Sequence, residues 1–570
     1  MRYKNEDNDL KLYAVAGTQT VLLAFDLPKP AKKDEFIGFD VERKDSQGNV
    51  RKINGSKHFD SLIHDATITD PQVKFTSLVQ SFFWKDFLAD PDQTYTYRVR
   101  AMFGTARLFN TRFESTVKVT TEPFSKGKHS VYFNYGVTGS QGYARNKEFG
   151  NKPIEQLDKI TRQKALDYLS RDLYHEGLIK FLNQAKTKRH SLFCAFYEIE
   201  YGPFLDELKI VKQKAKDLQI VYSGQPGQNK DLKDPNAEKG NISSLKAKGL
   251  FSISHKRTVA NQPHNKFMVL CFDDKPIEVW SGSTNITLSG ICGQSNTAHW
   301  VKDASIAGKY LKYWNLLKDN PSKTTLAALS EAIQPNVDLT KLENGSYVFF
   351  SPRDLPVAKG ATPPQLLEYV NLIDKAQELV CMIFPFNYDP VFKKVYDKER
   401  SYLRLLLFEK VSQAKIAKDK EDGDRDLKVT AGAVLEKEVR NFIAEVTPKT
   451  VVKGGILFAH NKFVLIDPLG DNPVVLSGSG NFSKPSIKDN DENMLLVKGD
   501  ARVADIYLTE FDRLFEHFWP RYLQKILPKS SSFEKPLDED YLWFASYYKK
   551  GSYHNKRGKM FIVMKGAKKG

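Results

Sequence analysis

The chain has 570 residues, 41% of them hydrophobic and 27% charged, which excludes a disordered or collagen-like protein and exceeds what one hydrophobic core can hold. About three or four domains are expected from that length. Lysine and arginine number 86 against 69 acidic residues, and the resulting charge of +17 favours a polyanionic partner, nucleic acid or an anionic membrane surface, unless it serves solubility alone.

Residues 1–9 are too polar for a secretory leader, and no run approaches the ~20 apolar residues of a membrane span, so the reduced cytoplasm is the expected location. The four cysteines form no close pairs, which argues against a zinc site or a disulfide framework. Cys194 and Cys381 sit in apolar runs and read as core. Residues 1–122 read as all-β, with short strands at 21–25, 36–41, 95–102 and 116–119 between Pro-, Gly- and Asp-rich turns. The run from Tyr95 to Ala101 resembles the penultimate strand of fibronectin type III domains, with Tyr95 at the corner position after the Asp90-Pro91-Asp92 turn. Such a sandwich implies binding or spacing rather than catalysis. Residues 120–128 read as a linker.

From 128 to 335 strands and helices alternate: a strand at 130–135, helical periodicity over 160–185, a buried strand at 191–199, a helix at 204–218 and a strand at 220–222. The order repeats from 336 to 530, with a strand at 347–350, a helix at 365–377, strands at 379–384 and 403–408, and a helix at 434–446. Alternation of this kind predicts an α/β sheet in each half. The polar stretches 224–241 and 415–428 follow equivalent strands and read as loops on one rim, either surface insertions or lids over a site.

Each half ends its pattern with the same polar cluster. His264-Asn265-Lys266 precedes an apolar run and then Gly282-Ser283-Thr284-Asn285; His460-Asn461-Lys462 precedes another and then Gly478-Ser479-Gly480-Asn481. His264 and His460, Lys266 and Lys462, Ser283 and Ser479, and Asn285 and Asn481 are all 196 residues apart, a constant offset that indicates duplication kept in register. In each copy the His and Lys, two residues apart, project from one strand face. Two such faces brought together would place two imidazoles and two ammonium groups around one phosphate. Lysine and asparagine would stabilise its non-bridging oxygens while one histidine attacked and the other protonated the leaving oxygen. The ammonium groups supply the positive charge a metal would otherwise bring, so neither metal nor cofactor is expected. A single H-x-K is common by chance. A third, His554 with Lys556, reads as an exposed basic loop.

The pattern H-x-K-x4-D followed by G-S-x-N resembles the phospholipase D superfamily, over about 400 residues from near 128 to near 530. His460, Lys462 and Asp467 match its motif in full, whereas Cys271 stands where the first copy should have its aspartate. Asp273 lies two residues on and could replace that carboxylate only if the strand were bulged. The resemblance implies that His264, Lys266, Asn285, His460, Lys462 and Asn481 are catalytic, with Ser283, Ser479 and Asp467 supporting. It also implies that a residue 11 positions after each motif asparagine bonds the opposite half's histidine: Glu492 would serve His264 and Asn296 would serve His460. That asymmetry favours His264 as nucleophile and His460 as general acid; the plain alternative is that both cap turns.

The remaining 531–570 is a tail in which eight lysines or arginines follow Tyr541 without an acid, interleaved with Tyr547, Tyr548, Tyr553 and Phe561. It suits either a single-stranded nucleic-acid track or an aromatic anchor packed on the rest of the chain. The expectation is an α/β protein of two fused phospholipase D-like halves with pseudo-two-fold symmetry behind an all-β sandwich. It would be a metal-independent phosphodiesterase whose one chain completes the site, with higher oligomers left open. A nuclease is the first substrate reading, a phospholipase D the alternative, and a nucleic-acid- or lipid-binding protein with a decayed site the third.

Overall fold

A computed structural model of the chain describes residues 1–55, 57–63, 78–139, 142, 143, 146–149, 152, 154–224, 237–421, 426–432, 458–526 and 536–570. Its first strands are β1 (Arg2–Asn5), β2 (Lys11–Ala16), β3 (Val21–Asp26), β4 (Phe36–Lys44), β5 (Val50–Lys52), β6 (Phe83–Asp86), β7 (Thr94–Gly104) and β8 (Phe109–Thr120). They make two antiparallel sheets, one containing β1-β2-β3-β6 and the other β5-β4-β7-β8. Alternation on β7 turns Tyr97, Val99 and Ala101 into the core. Arg98 and Arg100 on its outer face pair across the ladder with Glu42 and Asp40. The Tyr95 hydroxyl accepts from the Asp90 N–H at 2.9 Å, across the turn that leads into β7.

Two seven-stranded sheets follow. The first contains β9 (His129–Phe133), β10 (His190–Phe196), β11 (Asp217–Ser223), β12 (Ser254–Arg257), β13 (Lys266–Phe272), β14 (Lys275–Gly282) and β15 (Thr297–Val301). The second contains β16 (Gly345–Ser351), β17 (Leu379–Phe384), β18 (Leu403–Phe408), β19 (Leu427–Ala431), β20 (Phe463–Ile466), β21 (Val474–Gly478) and β22 (Glu492–Lys498). Their orders, β9-β15-β14-β13-β10-β11-β12 and β16-β22-β21-β20-β17-β18-β19, are the same order built twice. This is a mixed α/β fold with an all-β region in front. Leu465, Val475 and Leu495 point into a core shared with the first half, whereas Val464, Leu476 and Leu496 point to the helices on the other side. Burial on both faces is why these strands read as continuous apolar runs.

Several expectations change in detail. The periodic stretch 160–185 is one helix, Lys159–Asp172, broken at Arg171, then a wide turn over Leu173–Ile179 and a short helix Lys180–Gln184. Arg171 takes φ 49° as its guanidinium turns to Glu510. The expected rim loops are partly helical, Ala237–Ala247 and Val411–Glu421, because lysine, glutamate and alanine favour helix whatever their polarity. The helix expected at 434–446 lies outside the described residues. The presumed linker is anchored: Glu122 is buried against Arg502 at 2.8 Å.

The tail is not an open nucleic-acid track. Phe544 is buried in the sandwich core, with Trp543, Tyr547 and Tyr548 packed against it. A last strand, β23 (Lys568–Lys569), pairs with β1, and Arg557 pairs with Asp512 and Glu516. His554 and Lys556 belong to the helix Tyr553–Ile562 rather than a loop, His554 stacked on Tyr547 at 4.5 Å and Lys556 paired with Asp426. Large rings gain more by burial than by lying along a solvated surface.

Candidate active site

Both polar clusters lie at corresponding ends of their sheets, where the halves meet. His264 stands two residues before β13 and His460 three before β20, with Lys266 opening the first strand and Lys462 standing next to the first residue of the second. Both lysines fold back in the same way, Lys266 Nζ to the His264 carbonyl at 2.7 Å and Lys462 Nζ to the His460 carbonyl at 2.8 Å. Gly282 and Gly478 end β14 and β21, where a Cβ would stand 2.1 and 2.2 Å from the carbonyls of Thr297 and Asn493. Only glycine allows that approach, which brings the following Ser283 and Ser479 to the site.

The two halves exchange contacts reciprocally. The His264 N–H donates to the Asp491 carbonyl at 2.9 Å, and the His460 N–H to the Ser295 carbonyl at 3.1 Å. His264 Nδ1 lies 3.0 and 2.9 Å from the two carboxylate oxygens of Glu492. His460 Nδ1 lies 2.9 Å from Asn296 Oδ1. Asn296 Nδ2 donates to the Gly290 carbonyl at 2.7 Å, which fixes the amide so that its oxygen faces His460. His460 Nδ1 is therefore the donor, leaving Nε2 for the site. The serines complete each arrangement: Ser479 Oγ donates to Glu492 at 2.6 Å, Ser283 Oγ to Asn296 at 2.7 Å.

All these groups are buried, and burial governs their protonation. It holds both imidazoles well below their usual range, with Lys266 and Lys462 acting in the same sense. It pushes Lys266 down to about 7 against the pull of Glu492 and Glu198, and Lys462 down as well. It pushes Glu492 up to about 8. An anion entering between the lysines would reverse much of this, favouring the charged ammonium groups and a protonated imidazole.

Asn285 and Asn481 flank the site differently. Asn285 Nδ2 donates to the Glu198 carboxylate, while the Asn481 side chain makes no hydrogen bond among the described residues. Asp467 is not at the site. It sits beyond the far end of β20, where its carboxylate accepts from the N–H groups of Gln377, Glu378 and Leu379 at 2.9, 2.8 and 3.0 Å. Its place in the first half is taken by Asp273: both have φ 46°, and both donate their N–H to the start of the neighbouring strand, Asp273 to Arg189 and Asp467 to Leu379. β13 pairs with β10 without a break from Lys266 to Phe272, so it is not bulged but runs two residues further from lysine to aspartate than β20 does. The shift at Leu270–Cys271 leaves Ile277 of β14 as the extra residue, and Cys271 is a buried strand residue. A supporting role for Asp467 is thus a structural one, remote from the histidines.

Sequence reasoning passed over several groups. Tyr197 and Phe386 stand edge-on to His264 and His460, with centroids at 5.1 and 5.8 Å, and each lies under its lysine Nζ. Asn265 accepts from Asn493 at 2.9 Å and Asn461 donates to Thr297 at 2.6 Å, tying each motif to the opposite half. Both asparagines stand between the repeated His and Lys, which was the available signal. Arg257 pairs with Asp491 at 2.8 Å across the halves, and nothing in its sequence surroundings announces it.

Residues 369–519 match the protein family described as "Cardiolipin synthase, PLD-like domain". Human mitochondrial cardiolipin hydrolase is 34% identical over 74 residues, 13% of this chain and 27% of that protein. The mouse protein is 33% identical over 63 residues, 11% and 26% respectively, so the chain spans about a quarter of these relatives. Among solved structures, phosphatidylserine synthase of Haemophilus influenzae Rd KW20 is similar at a TM-score of 0.39 and 13% identity, over 69% of this chain and 94% of that one. Yeast tyrosyl-DNA phosphodiesterase is similar at 0.32 and 14%, over 57% and 88%. Over residues 369–519 the chain is thus similar to a phospholipase D-like domain.

Proposed function

We propose that the chain is a phosphodiesterase that needs no metal ion and works through a phosphohistidine on His264. The reading is carried by one observation: two buried His–Lys pairs from opposite halves meet, one histidine backed by a carboxylate and the other by an amide. Glu492 holds Nδ1 of His264 and aims Nε2 at phosphorus; burial pushes the Glu492 carboxyl up to about 8, so it would raise the basicity of the ring in its ionised form, above that pH. Asn296 orients His460 without adding charge, which suits a group that must give up a proton. In the first step the P–N bond to His264 forms, the P–O bond to the leaving group breaks, and His460 Nε2 passes its proton to the leaving oxygen. In the second, His460 takes a proton from water, whose oxygen attacks phosphorus and releases His264. Lys266, Lys462, Asn285 and Asn481 would hold the non-bridging oxygens throughout.

For the substrate, the charge of +17 supports nucleic acid, and a nuclease is the first reading. The family description of residues 369–519 supports a second, hydrolysis or transfer of phosphatidyl groups on an anionic phospholipid. The same relatives are named as mitochondrial, which sets that location beside the cytoplasm expected from the sequence. No helix among the described residues is long and apolar enough to cross a membrane. Incubating the full chain with end-labelled DNA, end-labelled RNA and cardiolipin-containing vesicles in parallel separates the readings. Cleavage of nucleic acid is expected; lipid turnover alone would replace the nuclease with the phospholipase, and no turnover of any diester would remove both.

A further inference from the structure

Besides Glu492, the two half-sites differ at a second carboxylate that the duplication does not repeat. The loops after β10 and β14 are laced together: the Ile286 N–H donates to the Glu198 carbonyl at 3.0 Å, and the Glu200 N–H to the Ile286 carbonyl at 2.8 Å. The matching contact in the second half runs from the Asp389 N–H to the Phe482 carbonyl at 3.0 Å, which makes Asn387 the counterpart of Glu198. Asn387 faces away from the site, accepting from Lys410 Nζ and Gln413 Nε2, both at 3.1 Å. Glu198 instead receives the amide N–H of Asn285, so a half-buried carboxylate stands one amide group away from the first half's anion-binding groups.

We propose that Glu198 is a specificity-determining residue that admits a singly charged phosphodiester and repels a doubly charged phosphomonoester. The inference rests on the phosphodiester reading above and narrows it. A diester carries one negative charge at every physiological pH, whereas a monoester carries close to two above its second ionisation, near pH ~6. Two lysines alone would hold the dianion more tightly, and a diesterase would then be inhibited by any terminal phosphate it met or made. Glu198 cancels part of that gain on one side of the site, because a fixed carboxylate opposes a second charge on the ligand as it opposes the first. One amide hydrogen of Asn285 is spent on Glu198, which also fixes the plane in which the other can meet a phosphoryl oxygen. Glu198 works in the same sense on Lys266, helping it keep its proton in a buried position.

The test is calorimetric titration of the full chain with dimethyl phosphate and with methyl phosphate, at pH 8 and at pH 5. In Glu198→Gln, methyl phosphate should tighten at pH 8 at least ~10-fold more than dimethyl phosphate does, and the difference should vanish at pH 5, where both ligands are monoanions. Glu198→Ala should show the same selectivity, since charge rather than the bond to Asn285 sets it. Equal changes for the two ligands at pH 8, or a difference confined to Glu198→Ala, would reduce Glu198 to a structural clamp and overturn the proposal. The binding measurements need no turnover, so absence of diesterase activity would remove the proposed function while still leaving the role of Glu198 to be decided by the ligand pair.

Discussion

The carboxylate of Glu492 lies 2.9 Å from Nδ1 of His264, a residue 228 positions earlier in the chain and on the other half of the molecule. The reciprocal contact, His460 to Asn296, has the same length and no charge. The duplicated site is thus chemically unequal at the groups that hold its two histidines.

Chelation should leave activity unchanged. The lysines bring the positive charge, and among the described residues no three of His, Cys, Asp or Glu come together to hold a metal ion. Turnover in millimolar EDTA should match that in buffer; loss restored by Mg²⁺ or Zn²⁺ would refute the scheme.

The aspartate of the motif should matter for folding and not for chemistry. Asp467→Ala removes the acceptor for three backbone N–H groups, a loss of ~1–3 kcal/mol, with kcat nearly kept in the folded protein. Cys271→Asp should not rescue anything. Burial already pushes the Cys271 thiol up to about 12, and a carboxylate in its place would lack a partner, destabilising by ~1–3 kcal/mol or more. Denaturant unfolding of both variants beside single-turnover rates decides this; a faster Cys271→Asp enzyme of native stability would contradict it.

Those two residues also show where the sequence was legible. The offset of 196 carried the duplication and paired positions 296 and 492, while their cross-over to the opposite histidines came from the family resemblance. The motif aspartate misled, because β13 runs two residues further than β20 before its turn, which makes Asp273 and not Cys271 the counterpart of Asp467. For the tail the sequence left two readings open, and the structure takes the aromatic anchor: Tyr547 and Tyr548 suit a nucleic-acid track equally well, and their burial depends on strands more than 400 residues away. Glu198 and Arg257 gave no signal, since a lone charged residue becomes informative only when its partner is known.

The pH profile should fall on its alkaline side. Lys266 is pushed down to about 7 by burial, so in the free enzyme it is charged below that pH and loses its proton as pH rises through it. If the charged form is required, kcat/KM should decline above pH ~7, since that ratio reports the free enzyme. Lys266→Gln should lose most activity and the limb together. A profile flat to pH 9 in the native protein would show that Lys266 stays charged or is not needed.

The last prediction separates the two histidines. With His264 as nucleophile, His264→Ala should abolish turnover and every covalent adduct. His460→Ala should be as slow on an ordinary diester, because the leaving oxygen receives no proton. On a diester with a nitrophenolate leaving group, which departs without one, the same variant should still form the P–N bond at His264. It should then accumulate the adduct, since no base remains to draw the proton from water. Denaturation without acid followed by peptide mapping places the phosphoryl group. The expected site is His264 because the carboxylate of Glu492 serves that ring and not His460. Glu492→Gln should therefore slow adduct formation, while Asn296→Ala should chiefly affect the steps in which His460 moves a proton. An adduct mapped to His460, and surviving in His264→Ala, would exchange the two roles and make the amide-backed imidazole the nucleophile.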